Sequence, residues 1–245
     1  MIHQTIVIIP SYNENNTAIL LDQIKAFKHH HSNYSFLIID DGCSKIKPYH
    51  DSIKAAGHYL IVNEKNLGKA KSIHIGVYEA IKYSPDFIVF MDADLSVSLN
   101  QLTELTKKFN QGADLVIGSR KSNQSKITKS QHFFRKNMGN IFNILCKLLV
   151  LKNINDTQCG FKGFRCHIAK DIFSKQIIFD FSFDVELLTL ACIAQHKLSI
   201  IPVTWINDPN SNVNFIKDSL SMFFSLLKIK YYYQLKTPLY YKNIL

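Results

Sequence analysis

Two carboxylates, Asp92 and Asp94, stand directly behind the apolar run Phe87-Ile88-Val89-Phe90-Met91. The run reads as a buried strand, too short and too β-branched and aromatic for a helix. Side chains two positions apart leave an extended chain on the same side. Paired carboxylates are hard oxygen donors, and Mg²⁺ is usually held by one or two of them together with substrate phosphates. Ligands of open α/β sheets gather at the carboxyl ends of strands, so this junction is a candidate metal and diphosphate site. Short motifs also recur by chance, and the decision rests on what the chain brings nearby.

Three more strand-like runs end in polar loops. Thr5–Pro10 leads into Ser11-Tyr12-Asn13-Glu14, Phe36–Asp40 into Asp41-Gly42, and Tyr59–Val62 into Asn63-Glu64-Lys65-Asn66-Leu67-Gly68-Lys69. A fifth strand is expected at Leu115–Gly118. Helical patterns separate these runs at Asn16–His30, Ile46–Ala56, Leu67–Tyr83 and Leu99–Asn110. Alternation of this kind predicts an α/β fold with a mostly parallel central sheet and helices on both faces. Parallel strands then bring all four loops to one edge. Asp41 would accept hydrogen bonds there, Gly42 would let the backbone turn closely, and Lys69 would open a helix whose first amides favour anions. Neither the Walker spacing nor G-x-G-x-x-G after the first strand is present, which excludes a P-loop and a nicotinamide or flavin site of that type.

The second half is organised differently. Helices are expected at Ser130–Leu151, Phe183–Gln195 and Phe215–Tyr233, a strand at Ser199–Trp205, and a loose tail at Thr237–Leu245. The net charge of +10 is concentrated here: residues 120–152 hold eight Lys or Arg and no acid, and residues 215–245 hold five Lys against Asp218. A localised basic excess calls for an anionic partner. Met138, Ile141, Phe142, Leu145, Leu148 and Leu149 form one apolar stripe, with Cys146 and Asn143 off it. Ile216, Leu220, Phe223, Phe224, Leu227 and Tyr231 form another, widened by Phe215, Met222, Leu226 and Ile229. Basic amphipathic helices with boundary tyrosines suit a membrane surface; packing on their own domain is the alternative. No element has the base-reaching polar face of a nucleic-acid reader, so no nucleic-acid partner is expected.

The ordered set Pro10-x-Tyr12-Asn13-Glu14, Asp40-Asp41-Gly42, Asn66-x-Gly68-Lys69, Asp92-Ala93-Asp94 and Gly118-Ser119-Arg120 resembles the family 2 glycosyltransferases with a GT-A fold. Asp156-Thr157-Gln158-Cys159-Gly160-Phe161-Lys162 and Phe183-Asp184-Val185-Glu186-Leu187 are similar to the dolichyl-phosphate glucose and mannose synthase branch, closer to the glucose type. The resemblance runs from about Thr5 to Ile229. It implies inverting transfer of a hexose, UDP-glucose favoured as donor, to a polyprenyl phosphate with Mg²⁺ or Mn²⁺. By the same resemblance Pro10, Tyr12, Glu14, Asp41 and Lys69 would hold the nucleotide. Asp92, Ala93 and Asp94 would take the ribose, diphosphate and metal. Arg120 and Arg135 would face phosphates, and Asp156, Gln158, Asp184, Glu186 and Trp205 would line the sugar and acceptor side. Residues 1–214 would form the transferase domain, its nucleotide-sugar half ending at 120, with 215–245 an appended basic helix and tail.

Two positions depart from the family pattern. Ser96 stands where the mannose branch has a metal-contacting Gln, and Asn210-Ser211-Asn212-Val213-Asn214 has no cation where relatives carry Lys or Arg, leaving Lys217 as a substitute. A phosphate monoester acceptor is already ionised near neutrality, its second pKa lying near ~6, so it needs cations such as Arg120, Arg135 and Lys136 more than a base. A hydroxyl acceptor would need one, and Asp184 or Glu186 could serve; both could equally be first-turn acids of the next helix. A nucleotide-binding homologue without turnover is the third reading.

Composition sets the outer bounds. A chain of 245 residues with 47% hydrophobic residues can bury a full core. Five cysteines without a C-x-x-C pair argue against a disulfide framework or zinc ribbon. The run His29-His30-His31 ends a helix with no ligand spacing. No basic segment precedes Thr5, and no run reaches the ~18 apolar residues of a membrane span. The expected location is therefore the cytosol, peripheral on a membrane.

Overall fold

The computed structural model describes residues 3–129, 133–206 and 215–235, with side chains described outside 128–138, 207–219 and 234–245. Four strands alternate with helices as expected: β1 (Thr5–Ser11), α1 (Thr17–His30), β2 (Tyr34–Asp40), α2 (His50–Ala55), β3 (Tyr59–Val62), α3 (Lys69–Ile81), β4 (Phe87–Phe90) and α4 (Gln101–Asn110). Then come β5 (Leu115–Ser119), β6 (Lys126–Lys129), α5 (Phe133–Leu149), β7 (Lys162–Arg165), α6 (Cys166–Ser174), α7 (Phe183–Ile193), β8 (Leu198–Pro202), β9 (Thr204–Ile206) and α8 (Phe215–Ile229), which ends in a wider turn at Lys230–Leu235.

Seven strands form one sheet in the order β3-β2-β1-β4-β7-β5-β8. All run parallel except β7, which pairs antiparallel with β4 and β5. Successive residues of each central strand go to opposite faces. Ile6, Ile8, Leu37, Ile39, Ile88 and Phe90 join one core with residues of α3, α6 and α7, while Val7, Ile9, Phe36, Ile38, Phe87 and Val89 join the other with residues of α1 and α4. Burial on both faces explains the continuous apolar runs.

Several boundaries differ from the expectation. β4 stops at Phe90, so Asp92 and Asp94 lie on a turn and not on an extended strand end. Leu95, at φ 57°, takes the left-handed region in that turn. The expected strand Ser199–Trp205 is two strands, β8 in the main sheet and β9 paired with β6 in a two-stranded ribbon. β6, β7 and α6 were not expected. β7 carries Lys162, Gly163 and Arg165, residue types that weaken the strand signal, and its place between β4 and β5 makes it the centre of the sheet's second half.

The two amphipathic helices turn much of their sequence stripes outward. On α5, Asn143 and Cys146 are buried, as is Val150 just beyond it, while Ile141, Ile144 and Leu148 are exposed. On α8, Leu226 and Ile229 are buried, whereas Leu220, Phe224, Leu227 and, in the turn that follows, Tyr231 are exposed. The residues that merely widened the second stripe are its anchors. The side chains of Arg135 and Lys217, residues 210–214 and the tail from Thr237 lie outside the described residues.

Candidate active site

The loops after β1, β2, β3 and β4 meet at the carboxyl edge of the sheet, and buried carboxylates hold them in shape. Asp40 accepts from the Cys43 amide at 2.7 Å and from His50 Nε2 at 2.8 Å. Asp41, only 2% exposed, accepts from Asn63 Nδ2 at 2.8 Å, the Leu67 amide at 2.9 Å and the Gly68 amide at 2.8 Å. Asp41, expected to meet a nucleoside, clamps the loop that delivers Lys69. Gly42, at φ 72°, lies where a Cβ would come 2.5 Å from the Lys65 carbonyl carbon, the close turn its position implied. Cys43 braces the first loop by accepting from the Asn13 amide at 3.1 Å and donating to Asn13 Oδ1 at 3.3 Å. Pro10 closes β1 half-buried, Tyr12 is exposed at the tip of that loop and Glu14 is half-buried in it.

At the end of β4, Lys69, the first residue of α3, forms an ion pair with Asp92. Asp94 and Asp184 also act on its charge: burial alone would lower the Lys69 pKa, but Asp92, Asp184 and Asp94 outweigh it and hold it above the ordinary value. Burial and the neighbouring Asp92 push the Asp94 pKa up, against hydrogen bonds from Ser96 and the charge of Lys69. Ser96 donates its amide to Asp94 Oδ1 at 2.8 Å and its hydroxyl to Oδ2 at 2.7 Å. Placed among expected metal ligands, Ser96 instead orients one. Ala93 is buried in the core behind the turn.

Asp184 is fully covered, and its partner is Lys162, whose ammonium lies 2.6 Å away and also donates to the Cys159 carbonyl at 2.6 Å. Burial raises the Asp184 pKa against the pull of Lys162 and Lys69. A lysine with 0% exposure in the middle of a sheet requires such a partner. The sequence signal for Lys162 was a cation inside an otherwise apolar stretch. Gly160 was missed as a site residue: a Cβ there would stand 2.6 Å from Asp92 Cγ, so only glycine leaves room for that carboxylate.

Beside this cluster, Arg120 grips Asp156 with Nε on Oδ2 at 2.9 Å and Nη2 on Oδ1 at 2.8 Å, and its amide donates to Oδ2 at 2.8 Å. The guanidinium also stacks over Trp205, 5.6 Å from the ring centroid. Despite burial, the Arg120 fork holds the Asp156 pKa down at about 2. Arg120 still feels Asp92, so the pair adjoins the carboxylate cluster. Both residues were expected to face substrate; Asp156 is instead buried and acts through Arg120, and Trp205 is 9% exposed in the core. Gln158 is half-buried next to them.

Glu186 does not join the site. It has 0% exposure and accepts from the Ile177 amide at 2.9 Å, the Ile178 amide at 2.9 Å and the Tyr233 hydroxyl at 2.7 Å. The expectation of a catalytic Glu186 is corrected to a structural one. A first-turn acid of α7 carries no sequence mark that tells an outward carboxylate from one turned into the core.

The site therefore gathers Lys69, Asp92, Asp94 and Asp184 over the sheet edge, with Arg120, Asp156 and Trp205 at one side. Among the described residues, no group of three or more His, Cys, Asp or Glu could hold a metal alone. The donor set still fits a divalent ion: two hard carboxylates, with an ammonium on one of them standing where a cation belongs, the kind of pair that substrate phosphates commonly complete.

The sheet with this acidic turn at its edge has the fold of the GT-A-type glycosyltransferases. The chain belongs to glycosyl transferase family 2, whose sequence model matches residues 6–173. It is 30% identical over 247 residues to dolichyl-phosphate beta-glucosyltransferase ALG5D of Trichomonas vaginalis, covering 93% of this chain and 73% of that protein. The human dolichyl-phosphate beta-glucosyltransferase is 28% identical over 221 residues, covering 82% and 67%. Among solved structures, glucosyl-3-phosphoglycerate synthase from Mycobacterium tuberculosis, in complex with Mn²⁺, UDP and glucosyl-3-phosphoglycerate, aligns with a TM-score of 0.69 at 14% identity over 93% of this chain and 80% of that one. The mannosyltransferase PcManGT from Pyrobaculum calidifontis, in complex with GDP-Man and Mn²⁺, aligns at 0.62 and 16% identity over 99% and 68%. Among the described residues, no helix is long and apolar enough to cross a membrane.

Proposed function

We propose that this transferase moves glucose, with inversion, from UDP-glucose to a polyprenyl phosphate of the dolichyl type at a membrane surface. The observation that carries the reading is the commitment of both candidate bases. Asp184 is locked to Lys162 and Glu186 to Ile177, Ile178 and Tyr233, which disfavours a hydroxyl acceptor and suits one that arrives ionised. The curated relatives named above act, by their names, on dolichyl phosphate.

In such a transfer an acceptor phosphate oxygen bonds to the anomeric carbon as the bond to the nucleotide diphosphate breaks, and the diphosphate departs. Asp92 and Asp94 would hold Mg²⁺ or Mn²⁺, which when bound offsets the charge of the leaving diphosphate. Lys69 supplies a further cation at the same turn. The fork to Asp156 fixes Arg120 beside it, and the basic segment 120–152, Arg135 included, attracts the second anion. Residues 1–120 would serve the nucleotide sugar and 121–214 the acceptor. Outward Ile141, Ile144 and Leu148 on α5, Leu220, Phe224 and Leu227 on α8, and Tyr231 in the turn after it would rest on the lipid, with Lys147 and Lys228 as cationic neighbours.

The test is transfer of labelled sugar into the organic phase from UDP- and GDP-sugars, with Mg²⁺ or Mn²⁺ and a short polyprenyl phosphate. UDP-glucose is expected to give the most product. Transfer to glycan hydroxyls with none to lipid phosphate, or nucleotide binding without turnover on any donor, would sink the proposal.

A further inference from the structure

We propose that Lys69 holds the place of the divalent ion on Asp92 and yields it only when a diphosphate arrives, so that metal and nucleotide enter as a pair. This rests on the sugar-nucleotide reading above.

The geometry is a competition for one carboxylate. The Lys69 ammonium sits on Asp92 Oδ1, an oxygen of one of the two carboxylates that would hold a metal at this turn. The same carboxylate fills the space that the missing side chain of Gly160 leaves open, so that glycine lets Asp92 lie where Lys69 meets it. Asp94 is tied through both oxygens to Ser96, which leaves Asp92 as the partner whose bond decides entry.

Charge makes the exchange one-sided. Asp92, Asp94 and Asp184 face Lys69 and Lys162, so three carboxylates meet two ammoniums and one negative charge remains. A divalent ion added alone would leave this partly dry cluster net positive, with Lys69 and the ion repelling each other at short range. A diphosphate entering with it restores balance and offers the displaced ammonium new oxygens. Lys162 cannot make this move, having 0% side-chain exposure beneath the site. Lys69 and Asp92 can, at 29% and 35% exposure.

The experiment is titration of the purified chain with Mn²⁺, free ion read by electron paramagnetic resonance, with and without UDP. In the wild type, UDP is expected to tighten Mn²⁺ binding by about tenfold or more. Lys69→Met should bind Mn²⁺ alone about tenfold more tightly than the wild type, since a repelling charge is gone, and should lose most of the UDP enhancement. Structural damage would weaken metal binding, the opposite sign. Lys69→Arg keeps the charge and should keep the coupling. Unchanged or weaker Mn²⁺ binding in a folded Lys69→Met overturns the inference. So does wild-type protein that binds Mn²⁺ equally well without UDP, which needs no variant to fold. If the wild type binds no Mn²⁺ even with UDP, or Asp92→Asn binds it undiminished, the metal reading itself fails.

Discussion

Arg120 and Asp156 form a two-pronged ion pair, closed by a third hydrogen bond from the Arg120 amide and roofed by Trp205. It joins the end of β5 to the loop before β7, and so fixes a cation at the rim of the acidic turn. Asp156→Ala leaves the guanidinium without its partner. Breaking such a buried pair costs about 3–5 kcal/mol, and the expected result is a large fall in the urea midpoint together with lost transferase activity. A variant as stable as the wild type would show that the fork is not structural.

The same pair sets an acid limit. The Asp156 pKa lies at about 2, below the ordinary aspartate value of 3.8. A depressed carboxylate stabilises the fold fully above its unfolded pKa and loses that contribution as pH falls through the folded value. The share contributed by Asp156, about 2 kcal/mol by linkage, is therefore present above roughly pH 4 and gone near pH 2. Asp156→Asn should flatten the stability–pH curve in that window alone. A change confined to pH 6–8 in denaturant titrations would contradict the assignment.

Glu186 gives a prediction against its apparent catalytic role. Removing its carboxylate strands the buried Ile178 amide and the part-buried Ile177 amide, and Glu186→Ala should cost about 3 kcal/mol. Tyr233→Phe loses a hydroxyl that lies against both Glu186 and the Lys175 carbonyl but strands no buried amide, and should cost about 1 kcal/mol. Glu186→Gln, measured well below its melting point, should keep the shape of the pH–rate profile. Disappearance of one limb in that variant would restore Glu186 as a titrating base.

Much of this arrangement is legible in the sequence. Apolar runs broken by Pro10-Ser11, Asp41-Gly42 and Asp92-Ala93-Asp94 announce a parallel sheet and the edge where its loops converge. Periodicity fails where sheet and helix are coded by non-local pairing. β7 is four residues long with a lysine inside it, and only Asp184, distant in sequence, makes that lysine tolerable. The stripes on α5 and α8 are real, but a stripe does not say which side meets the core; Cys146 and Leu226 do. Hydrogen-bond partners are hidden most completely, because Asp41, Asp156 and Glu186 read from sequence as free acids and are all engaged.

Gly160 tests the site without removing a charged group. A methyl at this position would collide with the Asp92 carboxylate. The side chain must then swing away, and misplacement of a catalytic group by about 1 Å can cost about a hundredfold. Gly160→Ala should lower kcat/KM on that scale while melting within a few degrees of the wild type. Wild-type turnover would mean that the position of Asp92 is not critical.

The outward stripes of α5 and α8 lead to a membrane measurement. Leu148 is 70% exposed and Phe224 60%, on helices whose inner faces are anchored by Cys146, Leu226 and Ile229. Replacing either by serine removes no core contact, so the melting temperature should hold. Fully burying a large apolar side chain is worth about 1.5–3 kcal/mol, which corresponds to about tenfold or more in a binding constant. Leu148→Ser and Phe224→Ser should each weaken sedimentation with anionic lipid vesicles by that order. Salt should weaken wild-type binding as well, since the basic residues act on the lipid charge through a screened field. Wild-type binding to neutral and anionic vesicles alike, with both serine variants unaffected, would place the lipid contact elsewhere on the molecule.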